Sequence, residues 1–482
     1  MCIVCGTGGA HLLRAIASSR APRPGAGRFT ARAVAPPVVP PLDPRSPADL
    51  AGPADTILRG AIVTMNAAAT DAEAVAVRAG RIQAVGDAAD VLAYRGRLTR
   101  VIDLDGRTLL PGFVNAHWHM PVALLCDLVD ARAAPSPAAA LDALALAVGD
   151  APPGEWIVLA VGADAASRMS AMGEVSTHPV VVTAPDGTIV AGNARAAEGG
   201  ALPAHVSALL PRFAAAPQPI RRRLSVLLRQ TAATGVTCLR VCGLGTLAGA
   251  DDLDLMRAAM DVAPPLRLRA TLDTALMGEW DALRLTPGFG DDMFRVDTLS
   301  AWPGGATVAV PAAGGWVATI HAGDDSEVRS ALEAFAACPG PRDARSGIEC
   351  RRMQDPAQAA AIARLGLSLG LTSGGGGGGE PPGAAFDPAM PVSLGLDAAS
   401  GPSAPLRMVA EASGFGLGRP DALAAVTIGA ARRCGVGGIL GSLERGKYAD
   451  FAFLDGDPRT AADPARLRCS ATWVNGREVF RA

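Results

Sequence analysis

Between residues 54 and 110, apolar and polar positions alternate in short runs. "DTILRGAIVTM", "EAVAVRAGRIQAVG" and "RVIDLDGRTLL" carry the period of two that half-buried strands need, and Asn, Asp and Gly break them into turns. The pattern predicts a small antiparallel sheet. From Pro111 the rhythm changes, and short β-branched runs alternate with Ala- and Leu-rich stretches, as in "GVTCLRVCG", "DDLDLMRAAMDVA" and "PLRLRATLD". Strand, helix, strand in that order predicts a parallel sheet with crossover helices. "GFVNAHWH", "HPVVVTAP", "MFRVDTL", "GWVATIH", "SGIEC", "LSLGL" and "PVSLGLD" add enough strands for a (β/α)₈ barrel over residues 111–438. Beyond Ile439 strands and turns return, with Asn475-Gly476 as a two-residue hairpin signal. The two chain ends, 54–110 and 439–482, are therefore expected to share one sheet as a small β-sandwich beside the barrel. The glycine run from Ser373 to Pro388 is read as a surface loop between two late barrel strands.

Composition narrows the function classes. With 49% hydrophobic and 19% charged residues and a formal net charge of −2, the 482-residue chain lacks the basic surplus of a nucleic-acid binder. No run of about 18 uninterrupted apolar residues predicts a membrane span. Nine cysteines, odd in number and scattered, point to thiols in a reducing compartment rather than a disulfide framework, so a cytoplasmic location is expected. Residues 1–53 read as a disordered leader, with Arg14, Arg20, Arg23, Arg28 and Arg32 preceding the first acidic residue, Asp43. It lacks the apolar core of a secretory signal, and export by it stays open. Cys2 and Cys5 form a lone CxxC, half of a zinc site.

The candidate chemistry rests on very few residues. There are six histidines, and His117 and His119 stand two apart at the end of a strand-like run, where period-two geometry turns both imidazoles to one face. Such a pair can chelate one divalent ion, and the C-terminal end of a barrel strand is where an active site forms. Two solvated loop histidines are the plainer alternative. His321 ends "GWVATIH" and Asp397 ends "PVSLGLD", each the first strongly coordinating residue after an apolar run. Singly they read as a hydrogen-bonded histidine and a helix cap; their shared register with His117 and His119 favours a common site. His11, His178 and His205 are left with solvated or structural roles. Cys238 and Cys242 flank Arg240 on one strand and are explained by core packing, and Trp118 is expected to point away from any metal, into the barrel wall.

"GRTLLPGFVNAHWHM", followed far downstream by "AVTIGAARRCGVGGILGSLERGKYADFAFLDGDP", resembles the amidohydrolase superfamily, particularly its amidohydrolase-3 branch. Similar segments run from Ala54 to Phe480 and include "LRLTPGFGDD", "IHAGDD" and "PLRMVAEA". The resemblance implies a barrel with a flanking β-sandwich, and hydrolysis of a non-peptide C–N bond in an amide, cyclic amide or amino-heterocycle by metal-activated water. It places the first-strand histidine pair on His117 and His119, the fifth-strand histidine on His321 and the eighth-strand aspartate on Asp397. It implies one divalent ion per chain, Zn²⁺ first, held by His117, His119, His321 and Asp397, with Asp397 also as general acid and base and His321 also steering the water. Asp325, or its neighbour Asp324, takes the place of an acidic residue that organises the following loop.

Three departures accompany the likeness. Ser300 stands where a metal-bridging lysine is common, and the one lysine of the chain, Lys447, lies in the C-terminal motif, which excludes a lysine-bridged pair of metals. Cys350 replaces the sixth-strand histidine; it is read either as a thiolate ligand or as a small buried residue. The glycine run removes polar residues from one side of the pocket. Two other functions compete. One is a catalytically impaired relative that keeps only the fold. The other is a dinucleotide site in which Gly243, Gly245 and Gly249 cradle a pyrophosphate and Asp273 contacts the ribose. The implied partner is a small-molecule substrate, with neither nucleic acid nor membrane. Oligomeric state leaves no mark on the sequence.

Overall fold

The computed structural model describes residues 50–120, 124, 127–168, 176–184, 188–198, 200–204, 206–209, 217–246, 249–260, 264–302, 315–337, 343–350, 355–374, 390–397 and 404–482. Most of the expected leader, the CxxC pair, His11, His205 and the glycine run beyond Gly374 fall outside these residues.

The strands are, in chain order, β1 (Thr56–Val63), β2 (Asp71–Arg78), β3 (Arg81–Gly86), β4 (Arg100–Pro111), β5 (Phe113–Trp118), β6 (Asp127–Ala131), β7 (Ile157–Val161), β8 (Val180–Thr183), β9 (Ile189–Gly192) and β10 (Val236–Leu244). They continue as β11 (Arg267–Asp273), β12 (Phe289–Gly290), β13 (Phe294–Ala301), β14 (Val317–Ala322), β15 (Gly347–Cys350), β16 (Ser368–Gly374), β17 (Val392–Asp397), β18 (Phe451–Leu454), β19 (Cys469–Val474) and β20 (Arg477–Arg481).

The chain ends meet in a seven-stranded sheet of order β20-β19-β18-β4-β1-β2-β3. One apolar cluster on it joins Leu58, Ile62 and Val75 from the first end to Phe451, Phe453 and Trp473 from the second. The short helix Ala88–Leu92 joins a second cluster, with Ile57, Ala74 and Ala76. Asn475 and Gly476 both adopt positive φ, 53° and 68°, which gives the β19–β20 hairpin a twist that suits its strands. The sheet is mixed rather than purely antiparallel, because β1 pairs with β4 in parallel. The β2–β3 hairpin and the helix after it supply the crossover that such a pairing requires.

β5, β10, β11, β13, β14, β15, β16 and β17 pair in that order, each in parallel with the next. The ring is closed by a side chain. Asn115 in β5 donates from Nδ2 to the Leu396 carbonyl and accepts the Leu396 amide at Oδ1, both at 3.1 Å, so one carboxamide performs the pairing of a peptide group on β17. Gly395 is required beside it: a Cβ there would overlap His117 Cβ and stand 2.9 Å from the His117 backbone nitrogen.

One expected barrel strand lies elsewhere. β8, from "HPVVVTAP", belongs with β6, β7 and β9 to a separate four-stranded sheet inserted between β5 and β10, with its own apolar cluster of Ile157, Leu159, Val161, Val180 and Val182 among others. A buried parallel strand has the same apolar run in either sheet, so local pattern cannot assign it. Among the described residues no helix is long and apolar enough to cross a membrane.

Candidate metal centre

β5 and β14 bring three imidazoles together inside the barrel. His117, His119 and His321 are 1%, 2% and 3% exposed, and each offers a nitrogen within 4.8 Å of the other two. Their ring centroids stand 4.7, 5.2 and 5.3 Å apart. A tetrahedral Zn–N set needs nitrogens about 3.3 Å apart, and these lie within 4.8 Å of one another. His321 is held on both sides. Trp302 stacks on its ring at 4.7 Å and 12°, and Ser300 Oγ lies 3.0 Å from Nε2, leaving the buried Nδ1 without a hydrogen-bond partner among the described residues. A buried imidazole nitrogen without a partner, on a ring that stands beside two others, is what a divalent ion would satisfy, so these residues fit the group.

Around the histidines the barrel interior is polar. Ser300 Oγ also lies 2.6 Å from Thr271 Oγ1, so the residue at the position of the common bridging lysine serves as a hydrogen-bonding support for His321. Cys242 Sγ stands 3.8 Å and Glu349 Oε2 3.4 Å from His117 Nδ1. Burial alone would lower the His117 pKa, but Cys242 and Glu349 outweigh it and push it up to about 9. His321 moves the opposite way, held well below its ordinary value by burial and by the other two imidazoles. Burial would raise the Cys242 thiol, yet the nearby His117 and Arg240 bring it down.

Glu349 is the centre of a buried ionic network. Its Oε1 accepts from Arg240 at 3.0 Å and from Arg433 at 2.9 Å, and both guanidiniums also reach Thr319 Oγ1. Burial tends to raise this carboxyl, but Arg433, His117 and Arg240 hold it well below the ordinary carboxylate range. Gly370 makes the room, since a Cβ on it would overlap the Glu349 carboxylate.

The other residues singled out by sequence divide clearly. Asp397 ends β17 and pairs with Gly374; its side chain lies outside the described set. Cys350 does not join the histidines: its donor atom is outside the group, and burial, followed by Glu349 and Asp325, pushes its thiol up to about 12. Lys447 stays in the C-terminal region, bonded to the Gly437 carbonyl, Ser442 Oγ and Glu444. Asp324 accepts from the Ser326 and Glu327 amides and so caps the helix that begins at Asp325. His178 lies in the inserted sheet region with Nδ1 3.2 Å from the Glu155 carbonyl, and Trp118 is fully buried in the main apolar cluster.

The dinucleotide reading does not survive. Gly243 N donates to Thr271 Oγ1 and Gly245 N to Asp252, while a Cβ on Gly245 would stand 2.5 Å from Leu276. These glycines sit at positive φ under Trp302 and Trp280, filled by protein rather than open to phosphate. Sequence reasoning missed Glu349, Ser300 as a support for His321, and the proximity of Cys242 to His117. A charged residue inside the apolar run "SGIEC" was the available signal for Glu349.

Comparisons with known proteins agree with this architecture. The amidohydrolase family model matches residues 100–480. The N-substituted formamide deformylase of Arthrobacter pascens is 34% identical over 106 residues, 21% of this chain and 19% of that protein, so the match spans about a fifth of the relative's length. Among solved structures, a metal-dependent hydrolase from Pyrococcus horikoshii superposes with a TM-score of 0.68 at 14% identity, covering 85% of this chain and 99% of its own. Atrazine chlorohydrolase from Arthrobacter aurescens, complexed with zinc, gives 0.54 at 17% identity over 88% and 95%. With a family model covering most of its length and a near-closed barrel that gathers three histidines, the chain belongs to the amidohydrolase family.

Proposed function

We propose that the protein is a mononuclear, zinc-dependent hydrolase of a non-peptide C–N bond in a small molecule, an amide or cyclic amide before an amino-heterocycle. The observation that carries this reading is the triad of buried imidazoles with an unsatisfied Nδ1 on His321, set in an amidohydrolase barrel. His117, His119 and His321 would hold the ion. When bound, it supplies Lewis acidity that lowers the pKa of a water toward about 7. Ser300 and Trp302 fix the His321 ring, and Glu349 and Cys242 fix that of His117. Asp397, at the end of the strand next to β5 across the seam, is assigned the proton transfer from water to the departing nitrogen. The match to a formamide deformylase supports the amide, and matches of 43% identity over 81 residues to a 5-methylthioadenosine/S-adenosylhomocysteine deaminase support the amino-heterocycle as the second reading.

The test has two parts. Protein expressed with added zinc is expected to hold one ion per chain and to lose it on His117→Ala. A panel of N-acyl amino acids, N-substituted formamides and cyclic amides is then expected to yield turnover that Asp397→Asn abolishes without loss of the ion. Protein with no zinc under those conditions, or unchanged turnover in the His117 variant, would reject the reading in favour of a relative that keeps only the fold.

A further inference from the structure

The barrel interior carries a second unusual row of side chains. Arg240 in β10, Arg269 in β11 and Arg295 in β13 are register partners across three adjacent parallel strands, and they are 1%, 1% and 7% exposed. Register partners in a parallel sheet project to the same side, so three arginine side chains leave one face where a barrel normally stacks branched apolar residues, and Arg269 lies close enough to Arg295 to repel it. Arg240 is matched by Glu349. Arg269 has only the carbonyls of Asp291 and Asp292, each at 3.1 Å, and its buried Nε has no acceptor. Arg295 has no hydrogen bond or ion pair among the described residues, and its Nε is likewise buried and unpaired.

The neighbouring carboxylates are already engaged. Asp297 accepts from Thr298 and stands 3.4 Å from Arg345; Asp292 accepts the Tyr448 hydroxyl; Asp450 is bound side-on by Arg267. A guanidinium cannot relieve such a setting by losing its proton. Burial, followed by repulsion from Arg269, lowers the Arg295 pKa by more than Asp297 and Asp292 raise it. Two neighbouring cations without a carboxylate of their own leave a charge that partial contact with water only partly offsets, and an anion is what offsets the rest.

We propose that Arg269 and Arg295 form a binding site for a small inorganic anion, chloride or an oxyanion of the size of phosphate, inside the barrel and apart from the histidine centre. Its occupant ties β11 to β13, the strands that carry Thr271 and Ser300 to the support of His321. The site holds the fold together independently of whether the histidines bind metal.

The test is thermal unfolding of the full chain in a low-salt buffer free of both anions, with sodium chloride and sodium phosphate titrated separately. Line broadening of the chloride-35 resonance serves as the direct readout of binding for the first arm, and phosphorus line broadening for the second. A saturable rise of several degrees with one anion, accompanied by broadening, is expected in the parent. Arg295→Met should unfold no earlier than the parent in anion-free buffer, because it removes an unpaired charge, and should lose both the rise and the broadening. Arg329→Met, an exposed residue, controls for ionic strength and should keep both. Equal titrations in the parent and Arg295→Met overturn the proposal. So does an Arg295→Met variant that is destabilised to the same extent with and without anion, which would mean that Arg295 serves a partner within the chain.

Discussion

Removing the Glu349 carboxylate is expected to cost the protein a large part of its stability. Arg240, Arg433 and Glu349 side chains are each 1% exposed, and Glu349 is the carboxylate that both guanidiniums share. Glu349→Ala leaves two buried cations facing one another, and breaking a buried pair by deleting one partner costs about 3–5 kcal/mol. That is a sizeable share of the roughly 5–15 kcal/mol that holds a typical domain. Glu349→Gln keeps the acceptor oxygen and loses the charge, so about half of that loss is expected. Urea unfolding followed by circular dichroism reads both shifts. A triple replacement, Arg240→Met, Glu349→Leu and Arg433→Met, separates charge from packing, because an apolar set of similar volume should recover most of the loss. The pH dependence has a definite sign. The folded pKa of Glu349 is depressed below its ordinary value of 4.5, so its contribution is complete above that pH and is lost as pH falls through the lower folded value. A Glu349→Ala variant that loses less than about 1 kcal/mol, on the lower edge of what an unsatisfied buried group costs, would refute the reasoning.

Other expectations follow from the same geometry. Zinc uptake by the metal-free protein at pH 7 should release a proton, because His117 is raised to about 9, and apparent affinity should climb up to about tenfold per pH unit toward that value. Calorimetry in two buffers of different ionisation enthalpy measures that proton. In the metal-free protein the raised His117 pKa adds stability below its ordinary 6.5, and the contribution fades as pH rises through about 9. Cys350→Ala should leave zinc stoichiometry unchanged; loss of the ion on metal analysis would return the thiol to the ligand set. Asn115→Leu strands the Leu396 amide and carbonyl and should cost about 2–6 kcal/mol in a denaturant melt, at about 1–3 kcal/mol for each buried group left without a partner.

Much of the barrel was legible because its strands are short apolar runs and several of them, β10, β14 and β15 among them, are followed by a helix, and the His117/His119 pair was legible because period two is strictly local. The inserted sheet was not, since Val180–Thr183 has the composition of a barrel strand and only its partners distinguish it. Glu349 escaped notice for a related reason: its partners Arg240 and Arg433 lie 109 and 84 residues away, and nothing near "SGIEC" announces them. Attention went instead to Cys350, one residue on, where a family position had changed. The contact between Cys242 and His117 spans 125 residues and is equally invisible to local pattern.

The carboxamide that joins β5 to β17 gives the ring a preferred place to part. Elsewhere around the circle a transient opening must release several backbone hydrogen bonds at once, but here the two bonds to Leu396 are lost together when one side chain rotates. The Leu396 amide should therefore exchange its hydrogen faster than its neighbours in β16, and because the same strands carry His117 and Asp397, occupancy of the centre should slow it. One proton, followed by deuterium exchange, would then report how firmly the mouth of the barrel is latched.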